Sequence, residues 1–241
     1  MILAAALGLA RTPEASASDL TIVFRVRGIS EDRVTTHYYS VDHVRFDQGD
    51  EATVIDLQSG KIVNVSNSKK QYSETTIAEI EQAMTSVSAE MERAMAGIPE
   101  ALRHKMMGDA GREVGLVAGE SRTVAGSECR VHVATLGIKS RMETCAAVSL
   151  GLPFEPRHLR NLILITAPIA RGNSGINKLV EAMRSIDGLP LASSTTINLL
   201  GRKIETATEA TEIRRGKVAP ELFAIPVGYQ KVESPFAKTN R

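Results

Sequence analysis

The chain has 241 residues and a net charge of +1, from 29 basic and 28 acidic side chains. Electrostatic binding to nucleic acid or anionic membranes requires a clustered basic excess, so this balance argues against both, and nucleic acid is not an expected partner. Apolar residues make up 43% of the sequence but aromatic ones only 4%, with no Trp, so the core must come from aliphatic side chains and eight Met residues.

The N-terminus has the features of a secretory leader. Residues 2–10 are apolar, and the small-residue triplet Ala15-Ser16-Ala17 follows. Signal peptidase recognises this pattern, whereas a membrane-spanning helix needs about 20 apolar residues. We therefore predict a signal peptide over residues 1–17, a periplasmic or secreted mature protein, and no transmembrane span. A short buried N-terminal helix is the alternative interpretation of the same residues.

Short strands joined by tight turns are predicted next. Residues 19–28 alternate between apolar and polar positions, with Leu20, Ile22 and Phe24 on one face, which is typical of a half-buried strand. Further short strands are predicted over residues 33–40, 43–47, 51–57, 61–66 and 70–73. Gly49-Asp50 and Ser59-Gly60 separate some of them, and turns favour these residue types. The pattern indicates an antiparallel meander.

The hydrophobic period then changes to that of an amphipathic helix. Apolar residues recur at spacings of three and four at Ile77, Ile80, Met84, Val87, Met91 and Met95. Thr76 and Glu79 have the spacing of a capping box at the start of this helix. Met is flexible and polarisable, so this stripe predicts an apolar ligand groove. The alternative is that the Met side chains fill an irregular seam between the helix and the sheet.

Cys129 and Cys145 predict a disulfide within a β-hairpin. Residues 128–135 and 139–148 are strand-like, and each cysteine lies eight residues from Gly137. A turn centred on Gly137 would place the two cysteines directly opposite each other, close enough to be joined. An even cysteine count in an exported chain supports the same pairing. Two free thiols in a cytosolic protein are the alternative.

The remaining segments complete a single predicted domain over residues 18–241. Further helices are predicted over residues 99–107, 157–165 and 173–186, and two long strands over 189–200 and 202–214. Residues 113–124 are mixed and interrupted by Gly, and no element is assigned to them. The fold class predicted from these elements is α+β, with one continuous sheet and helices packed against one of its faces.

No catalytic, metal or cofactor site is predicted. The five histidines form no ligand pair at helical spacing, and neither a nucleophile elbow nor a phosphate or dinucleotide loop occurs. His37 and His43 fall on neighbouring predicted strands, but two histidines alone are a weak metal signal. We therefore predict a protein that is not an enzyme.

Several short motifs resemble an uncharacterised family of exported bacterial proteins, known only as a domain of unknown function and similar to outer-membrane lipoprotein carriers. The matching residues are 44–47 (Val-Arg-Phe-Asp), 55–57, 59–61, 69–72, the two hairpin cysteines, 151–153 and 222–229. The resemblance implies a curved antiparallel half-barrel whose concave face is covered by helices. In lipoprotein carriers that concavity takes up acyl chains, and no catalytic residues are implied.

Together these observations predict an exported binding protein that holds an acyl chain or lipid between sheet and helices, with a lipid or an acylated protein as its partner. An envelope interaction or sensor scaffold with a protein partner is the alternative. An exported hydrolase is the third interpretation, which would need polar groups converging in the cavity.

Overall fold

The fold is described from a computed structural model of the chain. It describes residues 18–28, 32–99, 114–136, 140–155, 158, 162, 182–183, 185–199 and 202–236, without the side chains of 84, 87, 88, 91, 92 and 95 in the helix and of 136, 140, 197–199 and 202 in the strands. The predicted leader and the predicted helix at 99–107, apart from its first residue, lie outside these ranges, as do most residues of the predicted helices at 157–165 and 173–186.

Twelve strands and one bounded α-helix make up the described structure. The strands are β1 Leu20–Arg27, β2 Arg33–Tyr39, β3 His43–Gln48, β4 Glu51–Asp56, β5 Lys61–Ser66, β6 Gln71–Thr76, β7 Val114–Val124, β8 Ser127–Leu136, β9 Ser140–Ala147, β10 Leu189–Leu199, β11 Arg202–Arg215 and β12 Gln230–Lys231. The helix α1 spans Ile77–Ala96, and Pro220–Phe223 forms a 3₁₀ turn. The described helix does not have the length and apolarity needed to cross a membrane.

All twelve strands belong to one sheet. Their order is β12-β6-β5-β4-β3-β2-β1-β11-β10-β9-β8-β7, so the pairing of β1 with β11 joins the early meander to the later strands. Every pairing is antiparallel except that of β12 with β6. The sheet has two edges, β12 and β7.

This architecture corrects the predicted fold class. The protein is dominated by one open twelve-stranded sheet, and within the described residues α1 is the only α-helix with defined bounds. The prediction of an α+β fold with helices covering the concave face is therefore wrong. One reason is residues 114–124, which form an 11-residue strand despite their Gly residues because β8 supplies an antiparallel partner.

The side of β1 on which Leu20, Ile22 and Phe24 lie is buried, and we call this side the inner face of the sheet. Directly opposed residues of neighbouring strands share a face, and the register places Ile22 opposite His37 and His37 opposite Phe46. Leu20 and Ile22 are fully buried and Phe24 nearly so. The alternation predicted for the first strand is thus confirmed, with its apolar side in the core.

The predicted capping box begins α1. The Thr76 hydroxyl accepts a hydrogen bond from the Glu79 backbone N–H at 3.1 Å, and a Glu79 carboxylate oxygen accepts one from the Thr76 N–H at 2.8 Å. Two N–H groups that would otherwise lack partners at the helix start are satisfied in this way. The helix therefore starts directly after β6 and packs against it.

The outer face of the early meander is covered by the C-terminal segment, residues 218–232. The Arg45 guanidinium donates to the Leu222 carbonyl oxygen at 2.6 Å and to Asp47, and Phe223 stacks on His43. β12 then adds to β6 at the edge of the sheet, where Lys231 and Lys61 both pair with Glu74. β12 therefore covers the start of β6 and is itself the outermost strand at this edge.

The predicted disulfide between Cys129 and Cys145 is confirmed, but its predicted register is wrong by two residues. The ladder pairs Leu136 with Ser140, so Cys145 lies opposite Val131 and Cys129 is its diagonal neighbour. The Cα atoms are 5.3 Å apart, within the range that a disulfide spans. The turn is centred one residue later than Gly137, and strand twist brings the diagonal pair together.

Candidate functional site: an uncharged inner face

A cluster of aromatic and neutral polar side chains occupies the centre of the inner face. His37 lies between Phe24 and Phe46, with both ring centroids 4.6 Å from its own. Tyr39 is 6.1 Å from Phe154, centroid to centroid, and Phe154 contacts His158. In a chain with few aromatic residues, three of the five Phe residues therefore belong to one cluster, two of them in contact with His37 and the third with Tyr39 and His158.

Neighbouring hydroxyl groups satisfy the polar atoms of His37. Its Nε2 is 3.4 Å from Thr35 Oγ1 and its Nδ1 is 3.2 Å from the Tyr39 hydroxyl. A neutral imidazole has one donor and one acceptor, and hydroxyls serve either. Along β2 these three residues alternate, so they share the inner face. Among the described residues no buried side-chain N or O lacks a hydrogen-bond partner.

The buried part of the inner face stays uncharged at neutral pH. Burial lowers the pKa of His37 to about 4 and raises the pKa of Tyr39 above its ordinary value, since the charged form of each group is poorly solvated there. None of the buried residues in the described structure is Asp, Glu, Lys or Arg. A ligand contacting the buried part of this face would meet apolar and neutral polar atoms, whereas Arg33 and Arg215, which share the face, are exposed charged residues at its margin.

Part of the predicted Met groove lies at one side of this face. Ile80 is buried in the core and Ile77 packs against it. Met84, Val87, Met91 and Met95 follow in α1, but their side chains lie outside the described structure. The predicted groove therefore stays a prediction, and the sheet residues that face α1 are additions to it.

His37 and His43 do not approach each other as a metal-binding pair. His37 is on the inner face, whereas His43 is on the outer face and stacks on Phe223 at 5.4 Å. Among the described residues no group of three His, Cys, Asp or Glu side chains is arranged to hold a metal ion.

A cavity of about 200 Å³ lies among β1 and the later strands. Its lining includes Arg25, Arg122 and Glu209, together with Ser and Thr residues. Sequence reasoning missed this cavity because its residues come from β1, β7, β9, β10 and β11, and only the fold brings them together.

Comparisons with known proteins give a distant likeness. No family model matches the chain, and no curated protein matches it, so its membership of the uncharacterised exported family is unsupported. Similar solved structures include an uncharacterised conserved protein from Thermus thermophilus (11% identity, covering 90% of this chain and 91% of that chain, TM-score 0.47). The MucB structure in complex with MucA from Pseudomonas aeruginosa has 11% identity, 90% and 59% coverage and a TM-score of 0.44.

A LolA superfamily protein from Nitrosomonas europaea is also similar, with 7% identity, 89% and 92% coverage and a TM-score of 0.28. The lipoprotein-carrier resemblance thus has a counterpart among solved structures, and the chain spans 59% of the length of the MucB chain. At these TM-scores the likeness carries no functional information, so function has to be inferred from this chain's own residues.

Proposed function

We propose that this is an exported, non-enzymatic binding protein that holds the apolar part of a ligand, such as an acyl chain, against the inner face of the sheet. The observation that carries the proposal is the buried part of the inner face, which contains no charged residue and where Phe24 and Phe46 contact His37 and Phe154 contacts Tyr39. Burying apolar ligand surface on such a face contributes about 25 cal/mol per Å². The apolar leader pattern of residues 1–17 supports export.

The neutral polar groups suit the linking atoms of an acylated ligand. An ester or amide has oxygen atoms that accept hydrogen bonds, and the Tyr39 hydroxyl and the Thr35 hydroxyl are donors already present on the face. One of the two hydroxyls accepts from the His37 N–H, so its own O–H can donate to a ligand without displacing a bond of His37. A few well-placed polar groups in an apolar site are typical of ligand pockets.

The geometry gives less support to an exported hydrolase. Thr35 and His37 form the nearest arrangement to a nucleophile and base, at 3.4 Å. No carboxylate among the described residues hydrogen-bonds to His37 to orient it, as a catalytic triad would need.

Native mass spectrometry with lipid extraction, on protein purified from the periplasm without detergent, tests the proposal. We expect an acyl species at near-stoichiometric amount. Ile80→Glu places a charge among the buried apolar side chains where α1 meets the sheet, and it should abolish co-purification of the acyl species. Glu81→Gln, at an exposed neighbouring position, should leave co-purification intact. A far-UV spectrum of each variant separates ligand loss from unfolding. A clean unliganded mass for the native protein contradicts the proposal.

An interaction scaffold is a second candidate, favoured by the β7 edge. Within the described structure no hydrogen bond links β7 to a strand beyond β8, and Val117 and Leu116 are 65% and 38% exposed on its two faces. Residues 114–119 contain no charge and no Pro, the features that usually protect an edge. Such a strand suits an added strand from a partner protein. Val117→Lys should prevent a partner strand from pairing with β7 and should leave the amount of co-purifying acyl species unchanged.

A further inference from the structure

A single row of side chains crosses the later half of the sheet on the side of Arg25, opposite to that of Phe24, and three of its four middle members are buried. Directly opposed residues in neighbouring strands share a face, so the register and the disulfide define the row. From β1 to β7 its members are Arg25, Glu209, Ala192, Cys145, Cys129 and Arg122. Arg25 and Arg122 are the two end members of the row, and the Cys129–Cys145 disulfide joins β8 to β9.

The sheet is curled so that the two ends of this row meet. In a flat sheet five strand spacings would separate Arg25 from Arg122 by about 24 Å. Both nevertheless line the same cavity of about 200 Å³. Residues of β7 also come within 8 Å of β11, Cα to Cα, although three strands lie between them. Ala192 lies on the floor of the cavity, where its small side chain leaves room.

Arg25 and Arg122 are both exposed, and within the described part of the chain neither forms an ion pair. Arg27, also in the wall, pairs with Asp32 at 3.7 Å, and the wall residue Glu143 pairs with Arg141 at 3.1 Å. Of the two acidic residues that line the cavity, Glu209 is thus the one without an ion pair among the described residues. It shares the cavity with the guanidinium groups of Arg25 and Arg122. Ser194 also lines the cavity and lies on the same face as the row, because it is directly opposite Ala207 and Glu143.

We propose that this cavity binds an oxoanion group, a phosphate or a phosphate monoester, between Arg25 and Arg122. Guanidinium groups bind such oxygens bidentately, and the Ser194 hydroxyl is a further donor on the same face. The disulfide positions Arg122, because Cys129 is directly opposite Arg122 and is held to Cys145 on β9. Anion affinity is thereby coupled to the integrity of the disulfide. The site lies on the opposite face from the proposed acyl site and does not depend on it.

Calorimetric titration of the disulfide-intact protein with inorganic phosphate at low ionic strength tests the site. We expect saturable binding that weakens as salt rises, since the arginines are exposed. Arg25→Gln and Arg122→Gln should each raise the dissociation constant about tenfold, the loss of one charge-assisted contact. Arg130→Gln, an exposed arginine of β8 outside the cavity, should leave the dissociation constant unchanged. Equal affinities in all four proteins overturn the proposal.

A water-soluble phosphatidic acid with short chains, titrated in parallel, identifies the source of the anion. Tighter binding than inorganic phosphate, still dependent on Arg122, indicates a lipid headgroup, whereas equal binding indicates a free phosphate group. Binding of neither probe overturns the proposal. The Cys129→Ser, Cys145→Ser double variant should lose about as much affinity as Arg122→Gln. Native affinity in a folded double variant would overturn the coupling to the disulfide.

Discussion

The sheet has two halves, β1–β6 and β7–β11, and they differ in the segments that cover them. The first half is packed on both sides, by the start of α1 on the inner face and by residues 218–232 on the outer face. The later half ends in β7, whose side chains are mostly exposed, and is curled around a disulfide. Both halves contribute buried side chains to the core, and the later half is also held by a covalent link. The buried face of the covered half contains no charged residue, whereas Arg25 at its border and Arg122 in the curled half are exposed and form no ion pair among the described residues.

The largest expected difference concerns buried apolar volume. Ile22→Ala in β1 should lower the free energy of unfolding by about 2–5 kcal/mol, because a fully buried side chain leaves a cavity. Val117→Ala in β7 should change it by less than about 0.5 kcal/mol, since that side chain is 65% exposed. Urea denaturation measures both. Equal losses of unfolding free energy in the two variants would contradict the proposed difference in packing between the two halves.

Removing the disulfide should destabilise the later half. The cysteines are 16 residues apart, and a loop of that size corresponds to a stabilisation of about 3 kcal/mol. Cys129→Ser with Cys145→Ser should lose that amount in urea denaturation. A reductant should reproduce the loss in the native protein and add nothing in the double variant, and a reductant effect of similar size in both would point to some other target.

Acid should weaken the covered half through His37. Because burial lowers its pKa in the folded protein to about 4, the unfolded chain binds a proton that the folded chain does not between pH 6.5 and 4. Stability is therefore full above pH 6.5 and falls as the pH drops, by up to about 3 kcal/mol near pH 4. His37→Phe should flatten this profile in urea titrations at several pH values. His132→Phe, in β8, should retain it.

The smallest expected effect is at the start of α1. Thr76→Ala removes the capping hydroxyl and should cost about 1 kcal/mol of unfolding free energy. Thr85→Ala is the matched control, because the Thr85 hydroxyl donates to the Glu81 carbonyl within the helix and starts no turn. Its removal should be neutral or slightly stabilising, as Ala favours helices. A larger loss at Thr85 than at Thr76 would contradict the capping role.

Local signals predicted much of this fold. The alternation around Ile22, the capping residues Thr76 and Glu79, and the cysteine pair are all readable within a few residues, and the structure confirms them. Each depends on chemistry between near neighbours. The two-residue error in the hairpin register shows the limit of this approach, since a turn can shift by one residue without changing the strand pattern.

Long-range features could not be predicted. The pairing of β1 with β11, the addition of β12 to β6 and the curl that joins Arg25 to Arg122 all link distant residues. The Gly residues of β7 gave no strand signal in the sequence, because this strand is stabilised by pairing with β8 and not by its own β-propensity. The polar cluster around His37 was equally hidden, since its members alternate along a strand that looks half-exposed in sequence.

Hydrogen–deuterium exchange with and without added decanoate tests the central claim most directly. In the ligand-free protein, peptides covering Leu20–Arg27 and Arg33–Tyr39 should exchange slowly and those covering Val114–Val124 rapidly. Decanoate should slow exchange further in β1, β2 and α1 and leave β7 unchanged. Slowing confined to β7, or no slowing anywhere at saturating decanoate, would contradict the assignment of apolar ligand binding to the inner face.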